Sequence, residues 1–395
     1  MAGLGPLLVS LLLVLATGCG APGPDAAPGS AGGSSMSGSE TGSNEVESGE
    51  AMAKQDQSGP SPVREAPGGF RVGHWTHPDQ TTGCTVVLPP EGSVGAVDVR
   101  GGAPASRETD LLRPENMIQE VHAAVLSGGS AFGLDVSTGV MQSLEDQGVG
   151  YQTRAGLVPI VVAASLYDLG FGGTDSRPDA SCGVEAVAAA AASFPVGNVG
   201  AGAGATVGKL NGAGSGMRGG IGASPVLRTR GDAVVSAVVA VNAVGDVVDP
   251  TTGEVVAGMQ EDGRLLDARR FLGDVPPRSG ENTTIGVVMT NARLTQAQAT
   301  KVAQMAHDGM ARAIYPSHTP WDGDTLFVLA SGTAEGEPDL LRLGARAADA
   351  VVAAILDGVR SASPGFGVPT VGEIETATIS PEPDGSGDSE ADAGS

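Results

Sequence analysis

Asn282-Thr283-Thr284-Ile285-Gly286-Val287-Val288-Met289-Thr290 reads as a polar entry into a short apolar run, the pattern of a buried strand. Two hydroxyl residues stand at its mouth, directly after Glu281-Asn282. A threonine that becomes a chain terminus there can use its own α-amine as general base. Downstream, Trp321-Asp322-Gly323-Asp324 sets two carboxylates one glycine apart, followed by a second apolar run through Leu329. Acids in a turn before a strand are common, so the pair gains meaning only from the hydroxyl upstream. The combination predicts a precursor that severs the Asn282–Thr283 bond to create a hydrolase.

Around this stretch, strands and helices alternate. Thr85–Leu88 and Val94–Val99 read as two strands joined by the Pro89-Pro90-Glu91-Gly92 turn. Ile118–Leu126 and Ala131–Leu144 have helical spacing, and Val184–Ala192 reads as a further, small-faced helix. Val234–Asn242 and Val247-Val248 suggest a hairpin turning at Gly245-Asp246. Thr295 with Gln298 three residues later predicts a capping box for a helix reaching Ile314, and Leu340–Leu356 predicts the last helix. This order favours an α+β layered sandwich over a doubly wound sheet.

Aromatic residues make up 3% of the 395-residue chain and glycine contributes 62 positions, so Ala, Val and Gly must build the core through close backbone approach. A formal net charge of −23 argues against nucleic acid or an anionic membrane surface as partner. Residues 1–18 resemble a lipoprotein-type export signal: Leu4–Ala16 is apolar but too short to span a bilayer, and Ala16-Thr17-Gly18-Cys19 resembles a lipobox with Cys19 as the lipidated residue. No Lys or Arg precedes the apolar run, which departs from the usual pattern. The expected location is therefore outside the cytoplasm, on the membrane only through a lipid anchor. Residues 19–69 read as a disordered Gly/Ser/Pro/acid tether and 380–395 as a disordered acidic tail, leaving 70–379 as the folded domain. Cys84 and Cys182 are expected as buried thiols rather than a bridge, and neither a metal nor an organic cofactor is implied.

The glycine run Gly200–Gly208 fails as a phosphate loop, because Ala203 stands where the first glycine belongs and Leu210 replaces the Ser or Thr. Gly128-Gly129-Ser130 fails as a nucleophile elbow, since Phe132 occupies the last glycine position. The run does offer free N–H groups beside Lys209, which is either a solvated loop lysine or a site residue. Asn242, inside the apolar run Val238–Val244, either braces a loop or donates to an oxyanion. Tyr167 is core or site, whereas His307 and His318 read as structural.

Asp98-Val99-Arg100-Gly101-Gly102-Ala103-Pro104, Arg107–Leu112, Ser127–Asp135, Gly197–Lys209 and Asn282-Thr283-Thr284 together resemble the DmpA-type aminopeptidases. The endo-type 6-aminohexanoate-oligomer (nylon-oligomer) hydrolases belong to the same family. The resemblance spans residues 70–370 and implies a four-layer αββα sandwich of the N-terminal-nucleophile (Ntn) hydrolase type. It also implies a precursor cleaved into two chains that stay associated, in a homo-oligomer, and act on small peptide, amide or ester substrates. By position, Thr283 matches the nucleophile and Asn282 the residue before the cut. Asp322 and Asp324 match the polar pair beside it, and Lys209 and Asn242 match the pocket lysine and asparagine. Tyr167 falls near a family tyrosine in different surroundings. Thr284 remains a rival to Thr283 by one residue of slip. Two other readings use the same residues: an acyltransferase of the ornithine acetyltransferase type, and a catalytically inactive surface-binding lipoprotein.

Overall fold

Each central strand buries both faces, and the alternation of its side chains separates two cores. Along Val234–Asn242, Val235, Ala237, Val239 and Val241 pack toward one core, while Val238 and Ala240 pack toward another. The computed structural model describes residues 61–229, 231–272 and 282–374. Ten strands and four helices carry the architecture. They are β1 (Arg71–Thr76), β2 (Gly83–Leu88), β3 (Val94–Val99), β4 (Ala105–Arg107), β5 (Ala123–Ser127), β6 (Val161–Ser165), β7 (Gly220–Ala223), β8 (Val234–Asn242), β9 (Thr283–Thr290) and β10 (Thr325–Ala330), with α1 (Val136–Asp146), α2 (Ala180–Ala188), α3 (Gln296–Ala313) and α4 (Leu340–Arg360).

One sheet has the order β1-β2-β5-β6-β4 and the other β7-β8-β9-β10-β3. Only β5–β6 and β9–β10 are parallel pairs among these; the others are antiparallel. Val87, Leu126 and Val162 of the first sheet meet Ile221, Val238, Ile285, Val287 and Phe327 of the second in the central core. The outer face of the first sheet is covered by Val136, Val140, Ala186 and Val187 of α1 and α2. The outer face of the second is covered by Val302, Ala306 and Met310 of α3 and Ala347, Val351 and Ile355 of α4. The layers therefore run α, β, β, α, as the family resemblance implied.

Close backbone approach substitutes for large side chains. A Cβ on Gly222 of β7 would lie 2.2 Å from both the Ala354 carbonyl oxygen and the Gly358 nitrogen of α4. The capping box forms as expected: Thr295 N donates to Gln298 Oε1 at 2.9 Å and Gln298 N to Thr295 Oγ1 at 3.3 Å. Cys84 and Cys182 are buried free thiols.

Several expectations need correction. The stretch Ile118–Leu126 contributes a buried strand, β5, rather than a helix, because it is sandwiched between helix layer and central core and needs apolar residues on both faces. The strands β2 and β3 do not pair through the proline turn but join different sheets. The segment Asp246–Val248 pairs with Ile314–Tyr315 and Val255–Ala257 instead of folding back on β8. The helix expected over Val184–Ala192 starts earlier, at Ala180, where Asp179 caps it. Order also begins before residue 70: Val63–Glu65 pairs with Ser193–Pro195, and Arg64 forms an ion pair with Asp357 of α4. The export signal, Cys19, the tether up to residue 60 and the acidic tail lie outside the described residues. Among the described residues, no helix is long and apolar enough to cross a membrane.

Candidate active site

Register alone brings the distant candidates together at one end of the second sheet. The antiparallel β8–β9 ladder sets Asn242 opposite Thr283. The parallel β9–β10 ladder aligns Ile285 with Thr325, and one isolated bridge links Asn282 to Asp322. Thr283 is buried, with 4% exposure, and its hydroxyl donates a very short hydrogen bond to the Asn282 carbonyl. The same carbonyl accepts the Gly323 N–H at 3.1 Å. The neighbouring Thr284 hydroxyl is buried without a hydrogen-bond partner among the described residues, and its backbone N–H donates to Asp324 Oδ1 at 2.8 Å. Of the two threonines, Thr283 thus holds its oxygen against the peptide bond in question.

The two acids are rigidly held. Asp322 Oδ2 accepts from Thr319 N at 3.0 Å and Thr319 Oγ1 at 2.5 Å. Burial, reinforced by the like charge of Asp324, pushes the Asp322 carboxyl up to about 6. Asp324 Oδ2 accepts from both the backbone N (2.9 Å) and Nδ1 (2.8 Å) of His318. The turn between the acids is clamped from behind by residues 100–103. Arg100 N donates to the Asp324 carbonyl at 3.0 Å and Ala103 N to the Asp322 carbonyl at 2.9 Å. A Cβ on Gly101 would come within 2.2 Å of the Asp322 carbonyl oxygen, so this motif serves the acids by backbone contact.

On the other side, Lys209 Nζ donates to Asn242 Oδ1 at 2.9 Å and to the Asn242 carbonyl at 3.2 Å. Asn242 Oδ1 also accepts Thr206 N at 3.0 Å, and Asn242 Nδ2 donates to the Tyr167 carbonyl at 2.8 Å. The buried asparagine is therefore satisfied from two segments, 206–209 and Tyr167, and Lys209 is anchored in the site rather than solvated. Tyr167 joins the cluster through its main chain. Lys209 opens onto a cavity of about 190 Å³ whose walls include Tyr167, Asp168, Phe171, Thr206 and Phe366.

Two participants escaped the sequence reading. Asp168 is buried, accepts Thr82 Oγ1 and Gly129 N at 2.7 Å each, and is pushed up to about 6 by burial. His318, read as structural, touches Asp324 directly. Its ring packs edge-on against His307 at 4.9 Å, and burial pushes the His307 imidazole down to about 4. Position 318 carries a positive φ of 55°, and no local sequence signal announces it. Among the described residues, no group of three or more His, Cys, Asp or Glu is placed to hold a metal ion.

Comparison with known proteins follows this geometry. An uncharacterized aminopeptidase of Mycobacterium tuberculosis (strain H37Rv) is 41% identical over 334 residues, covering 77% of this chain and 95% of the relative. A 6-aminohexanoate-oligomer endohydrolase of Paenarthrobacter ureafaciens is 33% identical over 275 residues, covering 67% of this chain and 73% of that protein. Among solved structures, a Burkholderia sp. beta-aminopeptidase superposes with a TM-score of 0.58 at 23% identity, covering 80% of this chain and 92% of that one. The L-aminopeptidase D-Ala-esterase/amidase of Ochrobactrum anthropi, described as a variant of the Ntn hydrolase fold, gives a TM-score of 0.58 at 19% identity, covering 76% and 86% of the two chains. Those two likenesses establish the fold. The sequence profile of peptidase family S58 matches residues 68–369, and this chain belongs to that family.

Proposed function

We propose that this amide-bond hydrolase is an exported, self-cleaving aminopeptidase or amidase whose nucleophile is Thr283. The observation that carries the reading is the contact between the Thr283 hydroxyl and the Asn282 carbonyl, with Gly323 N–H donating to the same oxygen. A hydroxyl already beside its target, and a donor aimed where negative charge develops, are the two requirements of acyl transfer.

In the first phase, Thr283 Oγ1 bonds to the Asn282 carbonyl carbon and the C–N bond breaks. The hydroxyl proton ends on the departing nitrogen, which becomes an α-amine. Water then hydrolyses the ester, returning the Thr283 hydroxyl and leaving Asn282 as a carboxylate. In the second phase the amine, with an unperturbed pKa of about 7.7–8.0, takes the hydroxyl proton as Thr283 attacks a substrate carbonyl. The leaving amine of the substrate collects that proton, and water clears the acyl-enzyme.

Asp322 and Asp324 orient the new terminus and balance its charge. Lys209 and Asn242 stand on the opposite side, where a cation and an amide favour the deprotonated amine and the oxyanion. Asp168, at the cavity wall, offers a carboxylate to a substrate's free amino group, which matches small aminoacyl amides or short peptides. The proposal includes association of two-chain units into a homo-oligomer and export with a lipid anchor at Cys19.

Intact mass and N-terminal sequencing of the purified protein test the reading. Two fragments, one starting at Thr283, are expected, together with release of p-nitroaniline from aminoacyl anilides. Thr283→Ala should remain whole. If that variant still splits at the same bond, Thr283 is not the nucleophile.

A further inference from the structure

Arg218 is the charged side chain whose position the reaction above leaves unexplained. It is 2% exposed, and burial pushes its guanidinium down to about 10. One nitrogen, Nη2, donates to the Ala203 carbonyl at 2.9 Å, while Nε and Nη1 have no hydrogen-bond acceptor among the described residues. In place of acceptors, the guanidinium carbon lies 4.4 Å from the Phe171 ring centroid and 5.7 Å from that of Phe366. A cation against the negative faces of two rings is partly compensated, and the rings are fixed in return.

Those rings belong to the cavity beside Lys209. They meet edge-to-face, with centroids 5.1 Å apart, and come from segments remote in sequence. Phe366 reaches its place only through a left-handed backbone, φ 59°, between Gly365 and Gly367 at φ 157° and 71°. A bulky residue held there signals that the surroundings dictate where its ring points. The backbone of Arg218 secures the same loop, donating to the Pro369 carbonyl at 2.8 Å. A short chain of contacts links the wall of this cavity to Thr283. Lys209 lines it and bonds Asn242, and Asn242 pairs with Thr283 across the β8–β9 ladder.

We propose that Phe171 and Phe366, pinned by Arg218, form the wall of the acyl pocket and restrict it to one compact aminoacyl unit with an apolar side chain. The cavity volume of about 190 Å³ corresponds to roughly six waters at about 30 Å³ each, the scale of a single residue. This inference rests on the aminopeptidase reading and adds specificity-determining residues to it.

The test measures kcat/KM of the processed enzyme for alanyl, leucyl and 2-naphthylalanyl p-nitroanilides. Phe366→Ala should raise the naphthylalanyl-to-alanyl ratio by about tenfold or more, with self-cleavage unchanged. Arg218→Met, which keeps the length of the stem and removes the charge, should shift the ratio in the same direction by freeing both rings. A ratio within about twofold of wild type in both variants, with alanyl hydrolysis and processing intact, overturns the wall while leaving the aminopeptidase reading standing. Should Phe366→Ala fail to fold, Phe366→Leu decides by the same ratio, an unchanged value again counting against the wall. A wild type that processes itself yet hydrolyses no anilide sinks the aminopeptidase reading and the wall with it.

Discussion

Gly323→Ala should stall self-cleavage without unfolding the protein. An added Cβ would lie 2.9 Å from Thr283 Oγ1, 2.9 Å from the Ala103 carbonyl oxygen and 3.2 Å from Thr283 Cγ2. Ordinary contact needs about 3.5–4.0 Å, so something must yield by roughly half an ångström. The loop has little freedom to do so. Ala103 N holds the Asp322 carbonyl at 2.9 Å, Arg100 N holds the Asp324 carbonyl at 3.0 Å, and Thr325 Oγ1 holds the Gly323 carbonyl at 2.9 Å. Thr283 or the Asn282 carbonyl must therefore move. A displacement of about 1 Å at a reacting group costs about 10²-fold, which scales to roughly tenfold for half that distance. Weakening the Gly323 N–H contact adds part of the 10²–10³-fold that one oxyanion donor contributes. The expected slowing is about 10²-fold in all, against an overpacking cost of only about 1–3 kcal/mol in stability. Cell-free synthesis followed by a time course of intact mass measures the rate directly. Gly214→Ala is the control, since nothing lies within 4 Å of its added Cβ. A Gly323→Ala precursor that folds and processes within about threefold of wild type would refute the argument that Thr283 is held in attack geometry by this contact.

Three other perturbations follow from the same site. Lys209→Met removes the cation that bonds both oxygens of Asn242, and should lower kcat on anilides by about 10²-fold while far-UV circular dichroism stays unchanged. Burial pushes the Asp168 carboxyl up to about 6, so KM for substrates with a free amine should rise as pH falls through about 6. Asp168→Asn should remove that dependence. Its folded-state pKa lies above the unfolded value of about 3.9, so the stability Asp168 contributes is present below about pH 4 and lost as pH rises through 6. Denaturant midpoints should therefore favour Asp168→Asn over wild type above pH 6. Finally, Gly222→Ala drives a Cβ into the backbone of α4 at 2.2 Å, and should cost about 3 kcal/mol or more, seen as a Tm lowered by roughly 6–10 °C.

Much of the site was legible because its residues lie at strand ends or in short motifs. Apolar runs placed Thr283 and Asp324 beside strands, and sheet registry then did the assembly. Helical spacing misled at Ile118–Leu126, where a short apolar run fits a two-sided buried strand as well as a helix. The hairpin expected after Asn242 failed because Asp246 has other commitments: its carboxylate accepts Met259 N and Ala268 N at 2.7 Å each, holding that segment away from β8. Asp168, Arg218 and Phe366 were invisible for a common reason. Each is a single residue without a local motif, and its partners are remote in sequence, as when Asp168 meets Thr82 and Gly129. Tyr167 was flagged for its ring, yet the contact that ties it to Asn242 is its main-chain carbonyl, which any residue supplies.

The topology would also let a chain cut at the start of β9, as proposed, remain one unit. A break at 282–283 would assign β8 and β3 to the first fragment and β9, α3, β10 and α4 to the second. The two strands of the second fragment lie side by side, flanked by β8 on one edge and β3 on the other. Separation would open the β8–β9 ladder from Val235–Thr290 to Asn242–Thr283 and the β10–β3 ladder together. It would also expose Ile285, Val287 and Met289, which face the first sheet, each buried to within 1% and each contributing about 1.5–3 kcal/mol. Those three side chains alone correspond to roughly 4.5–9 kcal/mol, before the contacts of α4 with β7 and β8 are counted. The fragments should therefore stay together without a disulfide, and Cys84 and Cys182, both in the first fragment, supply none between them. A break at the Asn282–Thr283 bond would release an amine at the proposed nucleophile while leaving the β8–β9 and β9–β10 ladders intact.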